Sequence, residues 1–432
     1  MRSLALLVAA VCAAVPLHAQ DLVLTNARIV DPARRTIVQG AIWIRAGRIE
    51  GVGARVPGDA RGERIDLQGR WVIPALHDLH THSWGTAAPG RVFDGRGTEH
   101  TSQRVLRAGV TSFLDLFGAE DYLFGLRARQ RRDSLGGAEV LAAGPCFTAT
   151  KGHCSEYGTP TRLVDSPEDA RKQLADLAPK QPDVIKLVYD NRDYGPATLP
   201  TMSKATMEAL VGAARERSLK TVVHVGTWQD VRDAVLAGAT AVTHVPQGDT
   251  VPDDVVRLMA ERKVWHIPTL VVHTELAEFL THPEMLDSPL LVAMTSDTVR
   301  AVYRRGMAGL DERSRRWAEG QMARSATTLE SVRRLHRGGV RMLTGSDGGN
   351  WGIIQGYSVH REMVRLVEAG LSPWEALAAS TTSAGEFLGR RYGVGVGDQA
   401  DLVVLDASPI ENIANTQTVG LVVMRGKVVF RR

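Results

Sequence analysis

Several apolar runs in this sequence end in polar residues of the kind that bind metal ions. The run Val72-Ile73-Pro74-Ala75-Leu76-His77-Asp78-Leu79 leads into His80-Thr81-His82. Residues i and i+2 of a strand point to the same side, so both imidazoles can bind one cation. His77 stands three residues before His80, on the opposite side, and is read as structural. Lys186 interrupts Asp183-Val184-Ile185-Lys186-Leu187-Val188-Tyr189, a stretch that otherwise reads as core. A buried ammonium is costly unless it is paired or loses its proton. A neutral lysine amine can take up carbon dioxide as a carbamate, an anionic ligand able to bridge two metals. The competing reading is a lysine whose head group snorkels to the rim. His224 and His244 each lie near the C-terminal end of an apolar segment, and Asp347 follows Met342-Leu343-Thr344-Gly345-Ser346 among glycines that permit close approach.

These residues need a scaffold that brings scattered strand ends together. The middle of the chain, 73–390, alternates apolar strands with amphipathic helices. Strands are expected at Thr111–Leu116, Glu139–Ala143, Val184–Val188, Thr221–Val225, Ala241–His244, Val264–Pro268 and Arg341–Thr344, and the run before His80 makes eight. Helices are expected at Pro167–Leu177, Lys204–Arg217, Trp228–Ala237 and Asp253–Arg262, with Ser166 capping the first. Eight such units favour a (β/α)8 barrel, whose active sites form at the C-terminal strand ends. His80, His82, Lys186, His224, His244 and Asp347 would then converge. The connection between the seventh and eighth strands is oversized. Its Arg-, Glu- and Met-rich part, Thr295 to Arg337, reads as extra surface helices, with a lid over the mouth as the alternative.

The two ends have a different texture. Residues 20–72 and 391–432 read as short strands separated by turns, and neither end is long enough for a comfortable core. Together they are expected to form one small β-sandwich built from both termini. Residues 1–19 read as a signal peptide: Arg2, an apolar stretch from Leu4 to Val15, and cleavage after Ala19 or Ala14. The mature chain is therefore expected to be periplasmic or secreted, without stable membrane insertion. Cys146 and Cys154, the two cysteines left after cleavage, are read either as one disulfide or as two unrelated thiols. With 44% hydrophobic and 23% charged residues, the 432-residue chain is not largely disordered. Its formal charge is only +4 and no basic run is interleaved with aromatics, so nucleic acid is not expected as a partner. A small-molecule substrate is expected, and a homo-oligomer stays open.

The ligand pattern resembles the amidohydrolase superfamily, in particular its binuclear type with a carboxylated lysine. His80-Thr81-His82 is similar to the family's first-strand pair, Lys186 to its bridging lysine, His224 and His244 to the ligands of strands five and six, and Asp347 to the strand-eight aspartate. Gly397-Asp398-Gln399-Ala400-Asp401-Leu402 is similar to the family's tail. Ala75 departs from it, since relatives usually carry glycine after the proline. Thr148-Ala149-Thr150-Lys151-Gly152-His153 and Gly356-Tyr357-Ser358-Val359-His360 look most like imidazolonepropionase-related and prolidase-like members. The resemblance implies two divalent cations, best met by zinc, with His80, His82 and Asp347 on one and His224 and His244 on the other. Carboxylated Lys186 would bridge them, and a water they acidify would be the nucleophile. Asp347 would move the proton, and His153 and Tyr189 would contact substrate. His266, His273, His282, His336 and His360 are read as structural or exposed. The expected activity is hydrolysis of an amide or peptide-like C–N bond, in an N-acyl amino acid or dipeptide. The alternatives are a deaminase of a nitrogen heterocycle, a lactonase or esterase, and a metal-bearing binding protein without turnover.

Overall fold

The computed structural model describes residues 21–54, 60, 62–85, 97–194 and 197–432, so the leader read at 1–19 lies outside the described residues. Ten parallel strands of the middle region lie in two arcs, and two of them, Phe147–Thr148 and Arg162–Leu163, are two-residue pieces at the edge of the second arc. The first holds β1 (Leu76–Thr81), β2 (Val110–Asp115) and β3 (Glu139–Ala142). The second holds β4 (Ile185–Tyr189), β5 (Thr221–Val225), β6 (Ala241–Thr243), β7 (Trp265–Ile267) and β8 (Arg341–Met342). Hydrogen bonds join the arcs at both ends: Asp183 N to Ala142 O at 2.9 Å, and Leu79 N to Thr344 O at 3.0 Å.

Every residue of β1, β2, β4 and β5 is buried, as expected for parallel strands covered on both faces. The helices between them begin where the sequence supplies caps. Ser166 Oγ accepts from Asp169 N at the start of Pro167–Leu177, and a reciprocal Thr227–Asp230 capping box opens Trp228–Ala237. One apolar cluster gathers Leu79, Leu114, Leu141, Val184, Val222 and Ile267. Val184 and Val222 stand two residues before Lys186 and His224 and share their faces, so this layer underlies the polar residues.

The termini meet as expected, but in one continuous eight-stranded sheet. Trp71–Pro74 pairs antiparallel with Leu402–Leu405 and parallel with Leu22–Asp31, which joins the two ends of the chain. The oversized connection is largely helical, with Asp297–Arg304 and the 26-residue helix Glu312–Arg337 as its main pieces. No helix among the described residues is long and apolar enough to cross a membrane.

Glu139, buried at the start of β3, fastens the terminal sheet to the parallel strands. Arg390 grips its carboxylate with two hydrogen bonds of 2.6 and 2.9 Å, and Arg425 of the terminal hairpin adds one of 3.3 Å. Burial alone would raise the Glu139 carboxyl, but the bonds and charge of Arg390 and Arg425 outweigh it and hold it below its usual value. Removing one partner strands a buried charge, at a cost of ~3 kcal/mol. Arg390→Ala should lower the urea midpoint accordingly, and the difference from wild type should shrink as pH falls and Glu139 takes up a proton in both proteins. A midpoint unchanged at pH 7 would show that this pair does not stabilise the fold.

Candidate metal centre

The strand ends bring the sequence-selected ligands into one cluster. Asp347 Oδ1 lies 3.0 Å from His82 Nε2 and 3.3 Å from His80 Nε2. Ring centroids are 4.9 Å apart for His80 and His244, and 4.4 Å for His224 and His244. Lys186, 2% exposed, sits between the two halves with Nζ 3.4 Å from His80 Nε2. His80, His244 and Asp347 each present one ligand atom, all within 4.8 Å of one another.

Neighbouring groups decide which ring nitrogens are bare. Thr243 Oγ1 donates to Ile267 O, so it accepts from His80 Nδ1–H at 2.7 Å and leaves Nε2 with a lone pair. Thr269 does the same for His244: its hydroxyl donates to Pro268 O and accepts from Nδ1 at 2.8 Å. His224 is turned the other way. Its Nε2 donates to Asp190 Oδ2 at 2.8 Å, which leaves Nδ1 as the lone-pair nitrogen. Metal-binding histidines are commonly oriented by such a bond on the other ring nitrogen. Asp347 Oδ1 and His82 Nδ1 are buried and without a hydrogen bond. The donor set therefore fits divalent cations.

Electrostatics agree. Burial pulls the Lys186 ammonium below its usual range and lowers His224 to about 3. Burial together with the Lys186 charge lowers His80, and burial together with the His224 and His80 charges lowers His244. The His80, His224 and His244 rings are thereby neutral and able to donate electron pairs, and the Lys186 amine is shifted in the same direction. Asp347 is the exception, because His80 and His82 outweigh its burial and keep it ionised.

Two ligands sit in left-handed backbone, His244 at φ 73° and Asp347 at φ 59°, which non-glycine residues seldom adopt. Asp347 N donates to His80 O at 2.6 Å, which fixes the eighth strand's end against the first. Gly345 permits that approach, since a Cβ there would fall 2.7 Å from the His80 Cβ and 2.4 Å from Ile267.

The remaining sequence choices divide. His153 joins the site, 4.9 Å from the His224 ring, with Nδ1 held 2.6 Å from Glu156. Tyr189 does not: its hydroxyl donates to Asp233 on the helix Trp228–Ala237, away from the ligands. It is three residues from Lys186, and an odd offset along a strand faces the other side. Cys146 and Cys154 are buried free thiols and form no disulfide. His77, His266 and His360 are tied to Ser112, His244 O and Ala108 O, as structural residues would be. Sequence reading missed Asp190, Thr243 and Thr269. Asp190, four residues past Lys186, was open to the same even-offset rule.

Comparisons with known proteins agree with this geometry. Residues 71–429 match the model of the Amidohydrolase family. An imidazolonepropionase of Methylobacterium nodulans is 27% identical over 263 residues, covering 52% of this chain and 65% of that protein's length. Among solved structures, a Xaa-Pro dipeptidase with bound methionine superposes with a TM-score of 0.76 at 18% identity, over 95% of this chain and 100% of that one. A prolidase complexed with N-methylphosphonate-L-proline gives 0.74 at 22% identity, over 95% and 100%. At such identities the structural likeness concerns the fold, and the family match covers most of the chain, including every strand that carries a ligand. The chain belongs to the amidohydrolase family.

Proposed function

We propose that this protein is an exported, metal-dependent hydrolase of an amide or peptide-like C–N bond, acting on N-acyl amino acids or dipeptides. The observation that carries the reading is the buried Lys186 amine among bare ring nitrogens of His80, His224 and His244 and the Asp347 carboxylate. The names of the similar proteins, an imidazolonepropionase, a dipeptidase and a prolidase, support C–N bond cleavage. The proposed architecture is a (β/α)8 barrel over 73–390, with the two ends of the chain joined in the eight-stranded sheet beside it. The leader 1–19 would direct the chain to the periplasm or outside the cell.

His80, His82 and Asp347 would hold one divalent cation, His224 and His244 the other, with Lys186 between them as its carbamate. Two zinc ions are the best match to this mixed nitrogen and oxygen set. When bound, such ions acidify water and polarise a carbonyl oxygen. The chain's own residues do the rest. Burial keeps the Lys186 amine available for carbon dioxide, forming an N–C bond with release of one proton. Asp190, Thr243 and Thr269 hold the rings so that the correct nitrogens face inward. The Asp347 carboxylate takes up the proton of the attacking water and delivers it to the leaving nitrogen. His153, braced by Glu156, would contact the substrate carbonyl. A deaminase would release ammonia from a heterocycle and has no need of the bridging lysine.

Protein purified without chelator should carry close to two equivalents of divalent metal and release a free amino acid from N-acyl amino acids or dipeptides, without ammonia. Ammonia from a nitrogen heterocycle, with one metal per chain, would establish the deaminase instead.

Lys186→Ala should lose most activity and at least part of the metal, and a short carboxylic acid should restore some of both by standing in for the carbamate. Wild-type rate and metal content in that variant would refute the bridging role.

Asp347→Asn keeps an oxygen for a metal but cannot take up a proton at neutral pH. It should fold, retain much of its metal and lose roughly 10²–10⁴-fold in turnover, while an inhibitor's binding suffers less. A well-metallated Asp347→Asn protein of near-normal turnover would move the proton-transfer role elsewhere, with His153 next in line.

A further inference from the structure

The imidazoles at the strand ends are part of a longer run of ring contacts. His82, His80, His244, His224 and His153 follow one another with centroids 5.4, 4.9, 4.4 and 4.9 Å apart. From His153 the contacts continue to Tyr157 at 5.7 Å, then to Phe117 at 6.3 Å, and from Phe117 back to His82 at 6.1 Å. Among the described residues these rings close a circuit. One arc of it is made of imidazoles. The other arc is Tyr157 and Phe117, with Trp84 packed beside it, 5.7 Å from Phe117 and 6.3 Å from His82.

The carbon-rich arc is held in place from below. Phe117 follows β2, Trp84 follows β1, and Tyr157 closes the turn Ser155–Tyr157 on the loop after β3. Asp115, at the end of β2, accepts from Phe117 N at 3.1 Å and from Ser83 N at 2.9 Å, and Trp84 Nε1 donates to Phe117 O. Phe117 packs with Cys146, Cys154 and Val188 in one apolar cluster, against which Trp84 rests. Exposure shows where the centre is open. His80 and His224 are buried, His244 is partly exposed, and the side chains of His82 and His153 are 18% and 19% exposed. The arc of Phe117 and Tyr157 runs between the last two, so it borders the opening. Tyr157 is 51% exposed, and Asp347 is among the charges that, with burial, push its hydroxyl upward, which places it within reach of the centre. An aromatic ring backed by apolar side chains at the edge of a polar centre gains most when another apolar surface covers it.

We propose that Tyr157, backed by Phe117 and Trp84, is a specificity-determining residue that receives an aromatic or bulky apolar group carried next to the scissile bond. This rests on the reading of the centre as a C–N hydrolase and narrows it. N-acyl amino acids and dipeptides carry such a group on the acyl half, on the amine half or on neither, and the ligand cluster has no means of telling these apart. His153 is the residue assigned to the substrate carbonyl, and the Tyr157 ring is 5.7 Å from it. A group one or two bonds from that carbonyl therefore comes into contact with Tyr157. The wall sets which substrates are held, and the imidazoles, Lys186 and Asp347 carry the cleavage.

The test uses the full-length metallated protein and two series of compounds. In the first, N-acetyl-alanine is compared with N-benzoyl-alanine, so that the acyl half changes. In the second, N-acetyl-alanine is compared with N-acetyl-phenylalanine, so that the amine half changes. Turnover is followed by release of the amino acid and binding by calorimetry. Wild type should favour the aromatic member in at least one series, which identifies the half that meets the wall. Tyr157→Ala should reduce that preference in kcat/KM about tenfold, the change lying in KM, and Tyr157→Phe should keep it, since the ring and not the hydroxyl makes the contact. Metal content equal to wild type in both variants would show that the centre is intact. Preference in neither series, or a preference unmoved by Tyr157→Ala, would overturn the subsite while leaving the hydrolase reading intact. If no compound is turned over, tighter calorimetric binding of the aromatic members, lost in Tyr157→Ala and kept in Tyr157→Phe, would uphold the subsite and refute the hydrolase. Equal binding of all members, or none, would overturn the subsite as well.

Discussion

Imidazoles and an amine packed together away from water cannot all be charged. That constraint organises this molecule. Lys186, His80, His224 and His244 are withdrawn from solvent and crowd one another, so each is driven toward its neutral, electron-pair-donating form. The Asp347 carboxylate lies within bonding distance of the His80 and His82 rings, and their combined influence keeps it ionised. A centre built this way is short of positive charge that can stay in place, which is what a bound divalent cation supplies.

Neutral rings are not enough, since each must present the correct nitrogen. Thr243 and Thr269 spend their hydroxyl protons on backbone carbonyls and so can only accept from His80 and His244. Asp190 imposes the opposite orientation on His224 and is itself gripped by Arg192. The backbone contributes as well. His244, Thr269 and Asp347 all adopt left-handed conformations, each at a cost of order 1–3 kcal/mol. Hydrogen bonds to neighbouring strands, such as His244 N to Ile267 O at 2.9 Å, hold the first of them in place.

The clustered residues were legible in the sequence because period-two alternation and strand ends leave a strong local mark: His80 and His82 two apart, Lys186 inside an apolar run, Asp347 among glycines. Helix starts such as Ser166 and the strand Thr221–Val225 were legible for similar reasons. Tyr189 was misread because its odd offset from Lys186 was ignored, although the same rule correctly set His77 aside. Thr243 and Thr269 could not be found this way. Threonine is ordinary in and around strands, and nothing local reveals that a hydroxyl has a partner elsewhere. The joining of the termini was legible from their shared texture, but their continuity as one sheet depends on the long-range pairing of Trp71–Pro74 with Leu402–Leu405.

His273 was set aside as structural for a related reason. Its neighbours in sequence say little about it, and its Nδ1 is met by Gln321, about fifty residues later on a helix whose composition resembles any exposed amphipathic helix. The metal centre is assembled from strand ends whose positions are tightly fixed by sheet geometry, so its chemistry is written in short motifs. The helix Glu312–Arg337 reaches the rim only after a long connection, and no local spacing marks its partners. The strand-end cluster therefore has a signature that spacing alone can reveal, and the rim above it has none.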